Sequence, residues 1–329
     1  MDKRVDVVTI GESMVLFQPY TGGTIKYAPL LTKSVGGAES NLAFGLSRLG
    51  RKVRWISRVG KDPFGEFILS TLAGEGVEVD HVEKDHAHPT ALYFKEAKIP
   101  GDPMVHYYRK QSAASQLAPE HIKPAWFEQA RHLHVTGITP ALGDHTVAFL
   151  KDAMNQAREQ GLTVSFDPNL RRKLWDDETA RAVLLELIPL CDVFLPGLEE
   201  AHFLLGEKSP AAYGEAFLNM GPSVVALKLG EEGSIGFVGT HVFEAPAYQV
   251  EQVVDTVGAG DAYAAGFLDE WLATEHPLRE ETLIDSVPRA LRQANVTGAI
   301  ATQFPGDWEG ASTKEEVRQL MNKNQVVTR

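Results

Sequence analysis

Residues 252–273 read Q-V-V-D-T-V-G-A-G-D-A-Y-A-A-G-F-L-D-E-W-L-A. Val253 and Val254 suit the end of a buried strand, and from Ala259 onward the small and apolar residues suit a helix packed closely on a sheet. Between them, Gly258 and Gly260 give the backbone freedom that other residues lack. A strand, a glycine turn and a helix in that order leave the first helical amides without intrahelical partners, aimed at one spot. With the helix dipole behind them they form an anion site. Asp261 lies in the same first turn. An acid there is either an ordinary helix-stabilising carboxylate or a base that accepts a hydroxyl proton while the amides hold a transferring phosphoryl group. The turn alone leaves both readings open.

The surrounding composition narrows the field. A chain of 329 residues can bury one large core with a small appendage. It is 43% hydrophobic and 23% charged, as expected of a soluble globular protein. With 32 basic and 44 acidic residues the net charge is −12, which argues against general binding of nucleic acid or an anionic membrane surface. A local pair of arginines can still hold a small anion. The one cysteine, Cys191, sits in an apolar run and reads as a small core residue, with no intrachain disulfide to make. No histidine or cysteine cluster has metal-ligand spacing, and His132 and His134 read as structural. The N-terminal residues carry no signal-peptide pattern and no apolar run has membrane-spanning length, so the expected compartment is the cytoplasm.

Along the chain, Val5–Ile10 reads as a first central strand and 53–59 as a second. Helices are expected over 42–49 and 66–75, with a turn at 60–65. Beyond Pro119, strands at 132–136, 162–167, 193–196 and Val224–Lys228 alternate with helices at 145–160 and 178–189, the latter opened by Asp176 and Asp177 as caps. Parallel strands joined by helices imply a doubly wound, mainly parallel α/β sheet flanked by helices. Two segments break the alternation. Residues 13–35 are irregular with turn signals, and 90–111 read as an aromatic hairpin about Pro100-Gly101-Asp102-Pro103. We expect a small β lid from 13–35 and 90–111, inserted in an α/β catalytic domain of 1–12, 36–89 and 112–329. The alternative is a pair of ordinary surface loops.

No G-x-x-x-x-G-K-[ST] motif is present, and Tyr263 stands where G-x-G-x-x-G needs its third glycine, so a nicotinamide-dependent dehydrogenase lacks its fingerprint. Asp255-Thr256-Val257-Gly258-Ala259-Gly260-Asp261 instead resembles the C-terminal signature of the ribokinase-like (pfkB) carbohydrate kinases. Gly36-Gly37-Ala38-Glu39-Ser40-Asn41 and residues 59–65 resemble the N-terminal one. The stretches 107–115, 134–142 and 167–175 are most similar to members that phosphorylate 2-keto-3-deoxygluconate, a short acid sugar.

The resemblance implies an ATP-dependent kinase with a ribokinase-like fold. Asp261 would be the catalytic base, and the turn Gly258, Ala259 and Gly260 the anion hole. Gly37, Tyr93, Tyr107, Arg109 and Arg171 would bind the sugar, with the two arginines on its carboxylate. Planar guanidinium groups suit that task. Lys228, Gly230 and Gly233 would form the nucleotide-binding turn, and Asn295, with Gly298 and Ala299, would border the adenine. The family's Asn-x-x-Glu motif has Gly197 in place of its Asn. Glu200 keeps the acid and would reach Mg2+ through water. Asp255 would border a monovalent cation such as K+. The partners expected are an acid sugar, ATP and a second copy of the chain, paired through the edge-rich lid. A fructokinase, another sugar kinase of the family, or a catalytically silent sugar-sensing module are the alternatives.

Overall fold

The computed structural model describes residues 5–96 and 104–323. The strands are β1 (Val5–Ile10), β2 (Met14–Pro19), β3 (Leu31–Gly36), β4 (Val53–Ile56), β5 (Arg58–Gly60), β6 (Glu83–Asp85), β7 (Leu92–Glu96), β8 (Met104–Tyr108), β9 (Ala130–Thr136), β10 (Thr163–Asp167), β11 (Val193–Phe194), β12 (Val224–Lys228), β13 (Ser234–Val238) and β14 (His241–Ala245). The helices are α1 (Ala38–Arg48), α2 (Pro63–Gly74), α3 (Asp144–Glu159), α4 (Asp177–Leu187), α5 (Leu198–Leu205), α6 (Pro210–Leu218), α7 (Ala259–Trp271), α8 (Glu280–Ala301) and α9 (Lys314–Lys323).

The main sheet has eight strands in the order β14-β13-β12-β11-β10-β9-β1-β4, parallel except where β13 and β14 turn back at one edge. Its strands are apolar on both sides because both faces are covered. Val8, Leu133, Val135, Phe194 and Val225 face a core shared with Phe149 of α3, Leu184 of α4 and Phe217 of α6. Their neighbours Val7, Val193, Val224 and Ala226 face a second core with Phe44 of α1, Phe267 of α7 and Leu291 of α8. The strand period of two thus divides one chain between two cores. Cys191 is buried in the first, as expected. His132 and His134 are buried and share hydrogen bonds with Thr163 and Ser165 of the next strand, a structural role.

A second sheet, β3-β2-β7-β8, stands apart from the first. β2 pairs antiparallel with β3 and parallel with β7, and β7 pairs antiparallel with β8. Residues 13–35 are therefore more regular than expected. Met14 and Leu16 alternate onto Tyr93 and Ala91 beneath the sheet, and that burial fixes the strand. The expected turn at Pro100–Pro103 lies outside the described residues.

Several expected boundaries move. The strand over 53–59 breaks at Ser57: β4 stays in the main sheet, while β5 pairs with β6 in a separate ribbon. α2 begins at Pro63 because the Asp62 carboxylate accepts the Phe64 and Gly65 amides at 3.0 and 2.8 Å. α1 begins at Ala38, which brings Glu39 and Asn41 into its first turn. Asp176 caps α4 as expected, accepting the Thr179 amide at 2.9 Å. Among the described residues no helix is long and apolar enough to cross a membrane.

Candidate active site

The carboxyl ends of the parallel strands converge on a cavity of about 450 Å³, where open α/β sheets place their ligands. The first turn of α7 forms one wall. Gly258 precedes it with φ 79° and ψ −10°, a left-handed conformation. A Cβ there would lie 1.8 Å from the Asp307 carbonyl oxygen, so only glycine fits. The Ala259 N–H turns back to the Thr256 carbonyl at 3.3 Å. Among the described residues, the Gly260 and Asp261 N–H groups donate to no protein acceptor, so these are the two amides the turn leaves open to a ligand. The strand expected before the turn is absent: Val253 and Val254 are exposed and lie in coil. The loop is held instead by the Val254 and Asp255 amides, which donate to the Thr302 carbonyl at the end of α8 at 2.7 and 3.1 Å.

The Asp261 carboxylate is buried. It accepts hydrogen bonds from Asn41 Nδ2 at 2.8 Å and Asn169 Nδ2 at 3.3 Å. Burial drives its pKa up from 3.8 to about 7; the Asn41 hydrogen bond opposes that, and the nearby negative charge of Asp167 adds to it. Asn169 follows β10 at φ 38°, a left-handed position that asparagine tolerates. Both asparagines lie in the motifs quoted above, yet sequence reasoning gave them no task. Asp167 was also missed. It ends β10 and pairs with Lys228 Nζ at 2.7 Å from the end of β12. That ammonium lies 3.9 Å from where a Cβ on Gly260 would stand, so Lys228 borders the anion turn. Burial works against its charge, but Asp167 and Glu200 outweigh it and raise its pKa.

Glu200 accepts the Gly197 and Leu170 amides, each at 2.8 Å, and so closes the start of α5 against the loop after β10. Burial and Asp167 raise its pKa. Among the described residues no three His, Cys, Asp or Glu side chains group to cage a metal ion. Glu200 and Asp167 line the cavity with their oxygens already engaged by protein donors. Such a donor set suits Mg2+ carried on phosphate oxygens and reached through water, and suits no all-protein cage.

The opposite wall comes from β7, β8 and the loop after β1. Tyr93 stacks on Tyr107 with ring centroids 5.8 Å apart, and the Arg109 guanidinium lies 5.5 Å from the Tyr107 centroid. Arg109 is not a free cation. Its Nη2 is 2.6 Å from the carboxylate of Glu12, whose side chain is 0% exposed. The Tyr93 hydroxyl donates to Asp307, another residue that sequence reasoning missed. Arg171 is exposed at the mouth, and among the described residues it donates only to the Leu170 carbonyl, at 3.4 Å. Gly37 has φ 151°, and a Cβ there would meet the Glu12 carbonyl oxygen at 2.4 Å.

Residues 4–314 match the model of the pfkB family carbohydrate kinases. The chain belongs to that family. This carbohydrate kinase is 40% identical to the 2-dehydro-3-deoxygluconokinase of Bacillus subtilis (strain 168) over 328 residues, covering 98% of each chain. A structure described as ribokinase II from E. coli, in complex with ATP and Mg2+, superposes with TM-score 0.85 at 26% identity, over 97% of this chain and 99% of that one. The Vibrio cholerae O395 fructokinase double mutant solved with fructose, ADP and potassium superposes with TM-score 0.84 at 26% identity, over 97% and 99%. Both the family and the ribokinase-like fold agree with the sequence reading, and the enzyme is a sugar kinase.

In this sugar kinase the cavity gathers Gly37, Tyr93, Tyr107, Arg109, Arg171, Glu200, Lys228, Gly258, Gly260 and Asp261. Gly230, Gly233 and Asn295 are not in its lining. The Asn295 amide accepts from Ser234 Oγ at 3.0 Å and donates to the Ala245 and Pro246 carbonyls at 2.9 and 3.0 Å. Its side chain clamps α8 to β13 and β14, so any contact with a base would have to come from elsewhere on it. Asp255 does not line the cavity either. It accepts the Val257 and Gly306 amides at 3.1 and 3.3 Å and the ammonium of Lys95. Gly258→Ala is expected to lower stability by roughly 2 kcal/mol or more, from left-handed backbone plus overpacking against Asp307, and to remove most turnover. Thermal melts and a phosphotransfer assay on the purified variant check both.

Proposed function

We propose that this enzyme transfers the γ-phosphoryl group of ATP to the terminal hydroxyl of 2-keto-3-deoxygluconate, giving the 6-phosphate. The carrying observation is the placement of Asp261. It is buried at a pKa of about 7 beside the unpartnered amides of the α7 turn, with Arg109 and Arg171 lining the same cavity. Asp261 accepts the hydroxyl proton as the oxygen attacks in line. The Gly260 and Asp261 amides and Lys228 stabilise charge that spreads over the transferring group. Mg2+, bound with the nucleotide and near Glu200, supplies charge neutralisation of the phosphates. Asn41 and Asn169 hold the base where it is needed. Arg171 and the guanidinium of Arg109, which both line the cavity, bind the sugar carboxylate.

In this reading the four-stranded sheet is a lid that closes over the sugar and keeps water from the phosphoryl group. Its exposed Tyr20, Tyr27, Leu30 and Tyr108 support pairing of two chains through it. The setting is the cytoplasm, where ATP is made.

A fructokinase is the second reading. The Glu12 partner of Arg109 favours it, because a guanidinium already neutralised has less charge to offer a carboxylate. ADP release measured with 2-keto-3-deoxygluconate, its galactonate epimer and fructose separates the two. We expect kcat/KM for the acid sugars to exceed that for fructose by about 10²-fold, the worth of a charge-assisted contact. The reverse order would replace the proposed substrate.

A further inference from the structure

The loop that carries the anion turn holds a cationic group of its own. Lys95 lies on β7 of the four-stranded sheet, with its side chain 7% exposed. Its ammonium pairs with the Asp255 carboxylate and stands 3.8 Å from Asp307. The carboxylate of Asp307 accepts the Tyr93 hydroxyl, and its carbonyl oxygen backs directly onto Gly258. Asp255 spends its other contacts on the Val257 and Gly306 amides. One side chain from the second sheet therefore ties together the 255–258 loop and the 306–307 loop, the two segments that shape the turn.

A diffusible monovalent cation at Asp255 would have to take the place of the Lys95 ammonium, which already stands against that carboxylate. We propose that the Lys95 ammonium is a tethered replacement for an inorganic monovalent cation, positioning the anion turn through Asp255 and Asp307. Phosphoryl transfer then needs no K+. The charge is supplied by β7 of the second sheet, so one side chain couples that sheet to the turn. Lys95 lines the same cavity, but its ammonium is directed to Asp255 and Asp307, so it is a positioning residue that acts through them on the turn. The proposal rests on the reading of Gly260 and Asp261 as the phosphoryl site.

The test uses the full chain in tetramethylammonium buffer, with and without KCl. Wild-type kcat on 2-keto-3-deoxygluconate should be the same in both to within about twofold. Lys95→Ala should lose about 10²-fold, as when one oxyanion-stabilising group is removed, and KCl or ammonium chloride should restore a large part. Lys95→Arg should keep activity without salt, which separates loss of charge from loss of fold. A crystal soaked in rubidium chloride gives a readout independent of turnover: anomalous signal at Asp255 is expected in Lys95→Ala and not in wild type. Strong activation of wild type by K+, or rubidium at its Asp255, would overturn the proposal. So would a folded Lys95→Ala with undiminished turnover. If no sugar is phosphorylated at all, the kinase reading fails while the rubidium experiment still decides the cation site.

Discussion

Asp261→Asn should give a folded protein whose kcat for sugar phosphorylation falls by about 10³-fold, the scale of a lost general base. The asparagine keeps the shape of the side chain and can still accept from Asn41, so sugar and ATP binding should change far less. Because burial sets the pKa of Asp261 near 7, wild-type kcat/KM should fall tenfold per pH unit below about 7. The same shift makes the carboxylate a cost to the fold. Its folded-state pKa, about 7, lies above the ordinary 3.8. Between those values the native state holds a proton that the unfolded chain has released. The stability due to the neutral acid is complete below about pH 4 and is lost as pH rises through about 7. Glu39, fully buried against Thr136 and Thr139, is pushed by that burial from 4.5 to about 7 and adds in the same direction. Asp261→Asn should therefore melt higher than wild type at pH 8 and lose that advantage near pH 4. Calorimetry across pH and a pH–rate profile are the measurements. A variant with near wild-type turnover would remove Asp261 from the role of base.

Arg109→Ala should lose about 10²-fold or more in kcat/KM for the acid sugar and also destabilise the fold by roughly 3–5 kcal/mol. The stability loss follows from its partner. Glu12 is buried, its carboxylate held by the Ser112 hydroxyl and Arg109, and without the guanidinium its charge is left uncompensated. Glu12→Gln in the same chain removes that charge, so the double variant should recover much of the stability while activity on the acid sugar stays low. Arg171→Ala provides the contrast. That residue is exposed, and among the described residues its one hydrogen bond is to the Leu170 carbonyl, so its melting temperature should change little while KM for the acid sugar rises about tenfold or more. Fructose should be affected little by either change. Equal losses for acid and neutral sugars would assign Arg109 to the scaffold alone.

The chain's local patterns were enough for its architecture. The short β-branched runs of Val5–Ile10 and Val224–Lys228, separated by helical segments, specified a covered parallel sheet. The glycines before Asp261 marked a tight turn, because the left-handed φ of 79° at Gly258 favours glycine. One reading failed, and another proved more regular than its irregular sequence suggested. Val253 and Val254 look like a strand, while 13–35, expected within a β lid, look irregular, but hydrophobicity does not say whether a neighbouring strand is there to pair with. The 252–254 segment has none, while Met14 and Leu16 do.

The chemistry of the site divides along the same line. The acid and the glycine turn proposed for the site stand out in the local sequence, and the two proposed arginines came from the family resemblance. The surroundings that set their properties could not be read locally. Asn41 and Asn169 on Asp261, Asp167 on Lys228, Glu12 on Arg109, and Lys95 on Asp255 are pairings between segments far apart in the chain. Burial and neighbouring charge determine whether a carboxyl is a base or a guanidinium is free, and both arise only when the strand ends and the second sheet are brought together in space.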